Sequence, residues 1–157
     1  MKTLIPGLAW RVVLAMLVLP VMASGQAGSV DTDPAEETGT LSVLAAGFEN
    51  DSGQAGVSLF KSQEDMFAKP YRQAFAVITD GKAEIRLTGL PFGEYALVVF
   101  HDENKNGSVD HNIFRFPKEA LGFPNGYRFG LKQGTPTFEK LRIIFDNRTP
   151  PLVIRLE

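Results

Sequence analysis

The chain of 157 residues contains no cysteine. Disulfides, thiol catalysis, zinc–thiolate centres and lipid attachment through cysteine are therefore excluded. A domain of this sequence is held by its core, by bound metal, or by both. Histidine occurs only at His101 and His111, and two imidazoles without a thiolate make a poor transition-metal set. No serine sits in a nucleophile-elbow pattern, and no glycine-rich loop has phosphate-cradling spacing. With no catalytic set in view, the chain reads as non-catalytic. Basic residues are not in excess, 16 Lys and Arg against 18 Asp and Glu, so the basic stripe needed for nucleic-acid binding is missing. No convincing helical pattern appears, and no apolar run reaches the roughly 20 residues of a membrane-spanning helix.

What is present divides the chain. The first 27 residues carry only Lys2 and Arg11 as charges, then the apolar "VVLAMLVLP" and the small-residue "VMASGQA". This is the anatomy of a secretory signal peptide, with cleavage after Ala23 or Ala27. The expectation is a periplasmic or secreted protein with no membrane span after processing. Losing two of the 16 basic residues and none of the 18 acidic ones leaves a net charge of −4. Residues 28–40, "GSVDTDPAEETGT", read as a disordered lead-in, and 41–157 as one domain.

Within 41–157, short strand-like runs recur: "LSVLAAGF", "VSLF", "QAFAVIT", "KAEIRLTGL", "YALVVFH", "KLRIIF" and "PLVIRL". Asp80-Gly81 suits a two-residue hairpin turn, since both positions tolerate positive φ. That predicts a hairpin between the runs on either side. Ala83, Ile85 and Leu87 alternate with Glu84, Arg86 and Thr88, which gives one buried and one wet face. Tyr95–His101 is apolar enough to be covered on both faces. About seven short strands predict an all-β, antiparallel β-sandwich, Ig-like or prealbumin-like. It carries one long inserted loop, from Asp102 to Thr137. Loops of that length tend to be functional, and the aromatics Phe114, Phe116, Phe123, Tyr127 and Phe129 within it need something to pack on.

The loop begins "HDENKNGSVDHN". With Asp102 at the first coordinating position, Asn104 and Asn106 fall at the third and fifth. Gly107 falls at the sixth, Ser108 (by its carbonyl) at the seventh, and Asp110 at the ninth. That is the front of a calcium loop, in which oxygens converge on a hard cation. The twelfth position, normally a bidentate glutamate, is Ile113, and Glu103 is out of phase. Another group must close the shell: Glu119 is the nearest acid downstream, and Asn112 a neutral candidate. So few charges predict weak binding of Ca2+, roughly 10⁻⁴–10⁻³ M. A solvated polar turn, or another hard cation such as magnesium, are the alternatives.

The blocks "HDENKNGSVDHN", "FPKEALGFPN" and "GTPTFEKL" resemble, in this order, the signature of a bacterial exported family of unknown function, domain-of-unknown-function family 2141. The matching positions include His101, Asp102, Glu103, Asn104, Asn106, Gly107, Asp110, Pro117, Glu119, Gly122, Phe123, Asn125, Pro136 and Phe138. Ala120, Leu121, Pro124 and Arg115 depart from it. The resemblance implies a small β-sandwich, and "LPFGEYALVVF" also looks like the prealbumin-like and carboxypeptidase-regulatory-like sandwiches. It implies no activity.

Besides a metal-dependent enzyme using His101 and His111 beside the loop, which the poor transition-metal set disfavours, two functional readings follow. In one, the calcium loop is structural. In the other, calcium orders a binding module for a glycan, a peptide or an envelope component, with the aromatics between Phe114 and Phe129 and the cations Arg115, Lys118, Arg128 and Lys132 as its surface. Burial of those rings beneath the loop favours the first reading, and exposed rings favour the second.

Overall fold

The computed structural model describes residues 36–113, 116–130 and 134–157. The expected signal peptide, most of the lead-in, and Phe114, Arg115 and Lys132 lie outside the described residues. The strands are β1 (Thr38–Ala46), β2 (Gln54–Phe60), β3 (Arg72–Ala76), β4 (Lys82–Pro91), β5 (Gly93–Asp102) and β6 (Leu121–Gly122). A helix of one turn, α1 (Phe138–Leu141), precedes β7 (Arg142–Phe145) and β8 (Leu152–Arg155). β1 begins inside the segment read as lead-in.

They form two sheets. One has the order β4-β1-β8. The other has the order β3-β2-β5-β6, with β7 also on β5. β7 pairs with the first half of β5 (Gly93–Ala96) and β6 with Val99 and Phe100. The expected all-β sandwich is what forms, and its architecture is consistent with the prealbumin-like type. Every pairing among the named strands is antiparallel except that of β1 with β8, which sets Leu44 beside Val153 in parallel.

The alternation in the sequence explains the core. Leu41, Val43 and Ala45 of β1 and Ala83, Ile85 and Leu87 of β4 face inward, and Glu84, Arg86 and Thr88 face water. They meet Ala55, Val57 and Leu59 of β2 and Tyr95, Leu97 and Val99 of β5. Each large apolar side chain so buried contributes about 1.5–3 kcal/mol. Tyr95, in the core, donates its hydroxyl to the carbonyl of Pro91 at 2.8 Å, which pins the corner where the chain leaves the first sheet for the second.

β5 is covered on both faces, as its composition predicts. Its outer residues Ala96, Val98 and Phe100 pack with Phe60, Met66, Leu121, Phe123 and Leu141 in a second cluster, flanked by Val109, Tyr127 and Phe138. The long inserted segment is therefore a lid on the outer face of β5. It contains β6 and leads into α1, two elements that no periodicity announced. β2 accommodates this cluster with Gly56, where a Cβ would run into the ring of Phe100.

The predicted hairpin is corrected. Asp80 and Gly81 do form the two-residue turn, with φ 51° and 69°, and Thr79 and Lys82 exchange backbone hydrogen bonds across it at 2.8 and 3.1 Å. Beyond that bridge the arms part: β3 pairs with β2 and β4 with β1, in different sheets. β7 and β8 likewise part around the "DNRTPP" turn. Turn chemistry is local, whereas the sheet an arm joins depends on which face must be buried.

Candidate functional site

β5 ends by delivering His101 and Asp102 to the start of the loop, and both are buried. The β2–β5 register places Gln54 opposite Asp102. Gln54 Nε2 donates to Asp102 Oδ2 at 2.7 Å, the N–H of Gly107 donates to the same oxygen at 2.9 Å, and the N–H of Asn106 donates to Oδ1 at 3.0 Å. A fully buried carboxylate (0 % exposed) is thus compensated by three donors, the condition for leaving such a group inside a protein. Lys105 and Gly107 both have positive φ, 59° and 76°, which curls the chain until its N–H groups point back at Asp102.

The other predicted residues come to the same loop. Asn104 Oδ1 accepts from the N–H of Asn106 at 3.0 Å, and Asn106 Oδ1 from the N–H of Ser108 at 2.8 Å. Both carboxamide NH2 groups turn to Asp110, Asn104 at 2.8 Å and Asn106 at 3.0 Å. Glu119 returns to the loop from downstream: Oε1 accepts from the N–H of Glu103 at 3.3 Å, and Oε2 from the N–H of Asp110 at 3.1 Å. Its acidity is weakened. Burial pushes its pKa above the ordinary glutamate range, the charges of Asp110 and Asp102 add to the rise, and the two backbone N–H donors oppose it. Ser108 enters the network by its N–H. Ile113 is almost fully exposed, at 90 %, and takes no part in the core.

Every donor in this set is oxygen, the chemistry a hard cation takes. The orientation is that of a loop closed on its own N–H groups: the asparagine oxygens are engaged by backbone, and their NH2 groups face Asp110. Among the described residues, no group of three or more His, Cys, Asp or Glu is arranged to hold a metal. The NH2 groups of Asn104 and Asn106 occupy the Asp110 oxygens that a cation would need.

The histidines do not form a second centre. His101 Nε2 lies 2.8 Å from the carbonyl of Ser52, which makes that nitrogen the N–H donor, and its ring meets Phe48 edge-on. His111 is exposed and bridges to Pro117 through the backbone. The aromatics divide. Phe123 and Tyr127 pack edge-to-face at 5.2 Å in the lid, while Phe116 and Phe129 stay exposed at 55 % and 46 %. They line a cleft of about 410 Å³ with Glu119, Tyr127, Arg128 and the β8 side of the first sheet.

The family described as "Uncharacterized protein conserved in bacteria (DUF2141)" matches residues 43–151, which takes in the whole loop and its lid. The chain belongs to this family. No curated protein and no solved structure matches it. In this DUF2141 chain the three sequence blocks have distinct places. The first is the loop. The second supplies Glu119, the packed Phe123, and Asn125, whose Nδ2 donates to the carbonyls of Lys140 and Arg142 at 3.2 and 2.9 Å. The third supplies Thr137, the N-cap of α1, and Phe138 against the second cluster. Sequence reasoning missed Gln54, and also Gln73, whose Nε2 donates to the carbonyl of Gly107 at 3.1 Å and to Ser58 Oγ at 3.0 Å. Nothing near either glutamine marks it; only the strand register brings it to the DUF2141 loop.

Proposed function

We propose that this DUF2141 chain is an exported, non-catalytic β-sandwich module whose Asp102–Glu119 loop takes up Ca2+ weakly and for stability. The observation that carries the reading is the return of Glu119. The loop lacks its twelfth-position acid, and a downstream carboxylate comes back to the same turn, beside Asp110 and Asp102, where burial first and the shared negative charge after it raise its pKa. A divalent cation relieves that repulsion. Asp102, Asn104, Asn106, Asp110 and Glu119, with the carbonyl of Ser108, are the residues to hold it. Export rests on the first 27 residues alone.

Thermal melting in calcium and in EGTA tests the loop. At about ten times a millimolar Kd, calcium adds about 1.4 kcal/mol, which for a domain of this size is a rise in Tm of about 4 °C. Asp110→Asn, which removes a charge and one of the two oxygens that accept from Asn104 and Asn106, abolishes most of the rise. Identical melting in calcium and EGTA overturns the proposal and leaves a self-closed polar turn.

A further inference from the structure

We propose that the cleft beside the loop binds the end of a neutral oligosaccharide. The cleft, about 410 Å³, lies between the Phe116–Phe129 segment and the Val153–Glu157 end of the chain, and its size is within the range of ligand pockets, roughly 300–1,000 Å³. Phe116 and Phe129 meet edge-to-face, with ring centroids 6.5 Å apart and planes at 70°. Both keep about half their surface in water although Phe123, in the same segment, is buried. Leaving two phenylalanines this exposed forgoes burial that stabilises elsewhere in the molecule.

The charges of the cleft point to the ligand class. Arg128 Nη1 sits 2.9 Å from Glu157 Oε1. Arg155 is exposed and makes no ion pair among the described residues. Glu119 has both oxygens on backbone N–H groups. Two guanidiniums and two carboxylates therefore face one space, with no surplus of either sign to select a phosphate or a carboxylate. A lining this polar does not suit an acyl chain. A saccharide fits both properties. Its C–H face lies against an aromatic ring, whose π face is negative, and its neighbouring hydroxyls pair with planar forks such as Arg155 and Glu157. The two rings make a corner, not a flat strip, so the cleft takes a chain terminus in preference to the middle of a long polymer. The inference does not rest on calcium: none of the atoms just named needs a cation to hold its place.

The test is NMR titration of the ¹⁵N-labelled protein with neutral trisaccharides of glucose and of N-acetylglucosamine, and separately with an extended aromatic peptide, each in calcium and in EGTA. A trisaccharide is expected to move the amides of Phe116, Phe129, Arg155 and Glu157. Phe129→Ala and Arg155→Ala are each expected to weaken it about tenfold, a loss of about 1.4 kcal/mol. Both side chains are exposed, and unchanged melting confirms that the variants fold; if Phe129→Ala does not fold, Arg155→Ala decides. The inference is overturned if no trisaccharide moves these amides at millimolar concentration, if only the peptide does, or if the folded variants bind like the parent. Loss of the calcium effect on melting with retained sugar shifts would remove the loop proposal and leave this one standing.

Discussion

Glu119 is the residue on which the site turns. Its pKa is raised by burial first and by the charges of Asp110 and Asp102 after that. A carboxyl group whose folded pKa lies above its unfolded value binds more protons in the folded state between the two. Its contribution is full below the unfolded pKa and is lost as pH rises through the folded one. In EGTA, then, Glu119→Gln should gain stability relative to the parent as pH is raised from about 4 to 7. Urea midpoints at several pH values measure it, and a difference that does not change with pH would refute the assignment. Glu119 was legible in the sequence because the loop pattern was short of one acid, so the eye goes to the next carboxylate downstream. Gln54 and Gln73 were not: a glutamine on a strand carries no sign of its partner until the register of β2 against β5 and β3 is known.

At the level of elements, the long segment after β5 behaves as part of the core. Phe123 is buried against Phe100 and Leu141 in the second cluster, while Phe116, seven positions earlier, is exposed. Phe123→Ala should cost about 3–5 kcal/mol, as a core truncation does, and Phe116→Ala should stay within about 0.5 kcal/mol. Chemical denaturation of the pair checks this; equal costs would mean that the lid is not packed as described. The strands themselves were readable from alternation, as in Ala83–Thr88, and from the apolar run of β5. The hairpin at Asp80-Gly81 was misread because the dipeptide dictates a turn of two residues and nothing more. Val77 is exposed and Ile78 is buried, so the chain changes sheets just before a turn whose chemistry is that of a simple hairpin. Asp51 holds that turn from outside, accepting from the N–H groups of Asp80 and Gly81 at 3.0 and 2.9 Å, a contact no local pattern reveals.

For the molecule as a whole, stability is concentrated around β5. It is paired along both edges and buried on both faces. β3 lies at the end of its sheet and is largely exposed. Amide hydrogen exchange should therefore be slowest at Ala96–Phe100 and fast on β3, since exchange follows the local cost of opening. If β1, the centre of the three-stranded sheet, outlasts β5, the hierarchy is reversed. The two-layer fold was within reach of the sequence, because seven of its strands are self-announcing. The second, outer cluster was not, because its members come from β2, β5, the lid and α1, with no common period.

The parallel pairing of β1 with β8 has a consequence for the order of events in time. β1 stands between β4 and β8, and its register with β8 sets Leu44 beside Val153, at opposite ends of the described chain. A polypeptide emerging N-terminus first holds β1 ready long before its second neighbour exists. Until residues 152–156 arrive, the first sheet is two strands wide, and the backbone strap from Leu156 to Ala46 and from Glu157 to Leu121 is missing. Contacts this distant along the chain close late and slowly. The first sheet thus stays without its third strand through nearly all of the chain's synthesis.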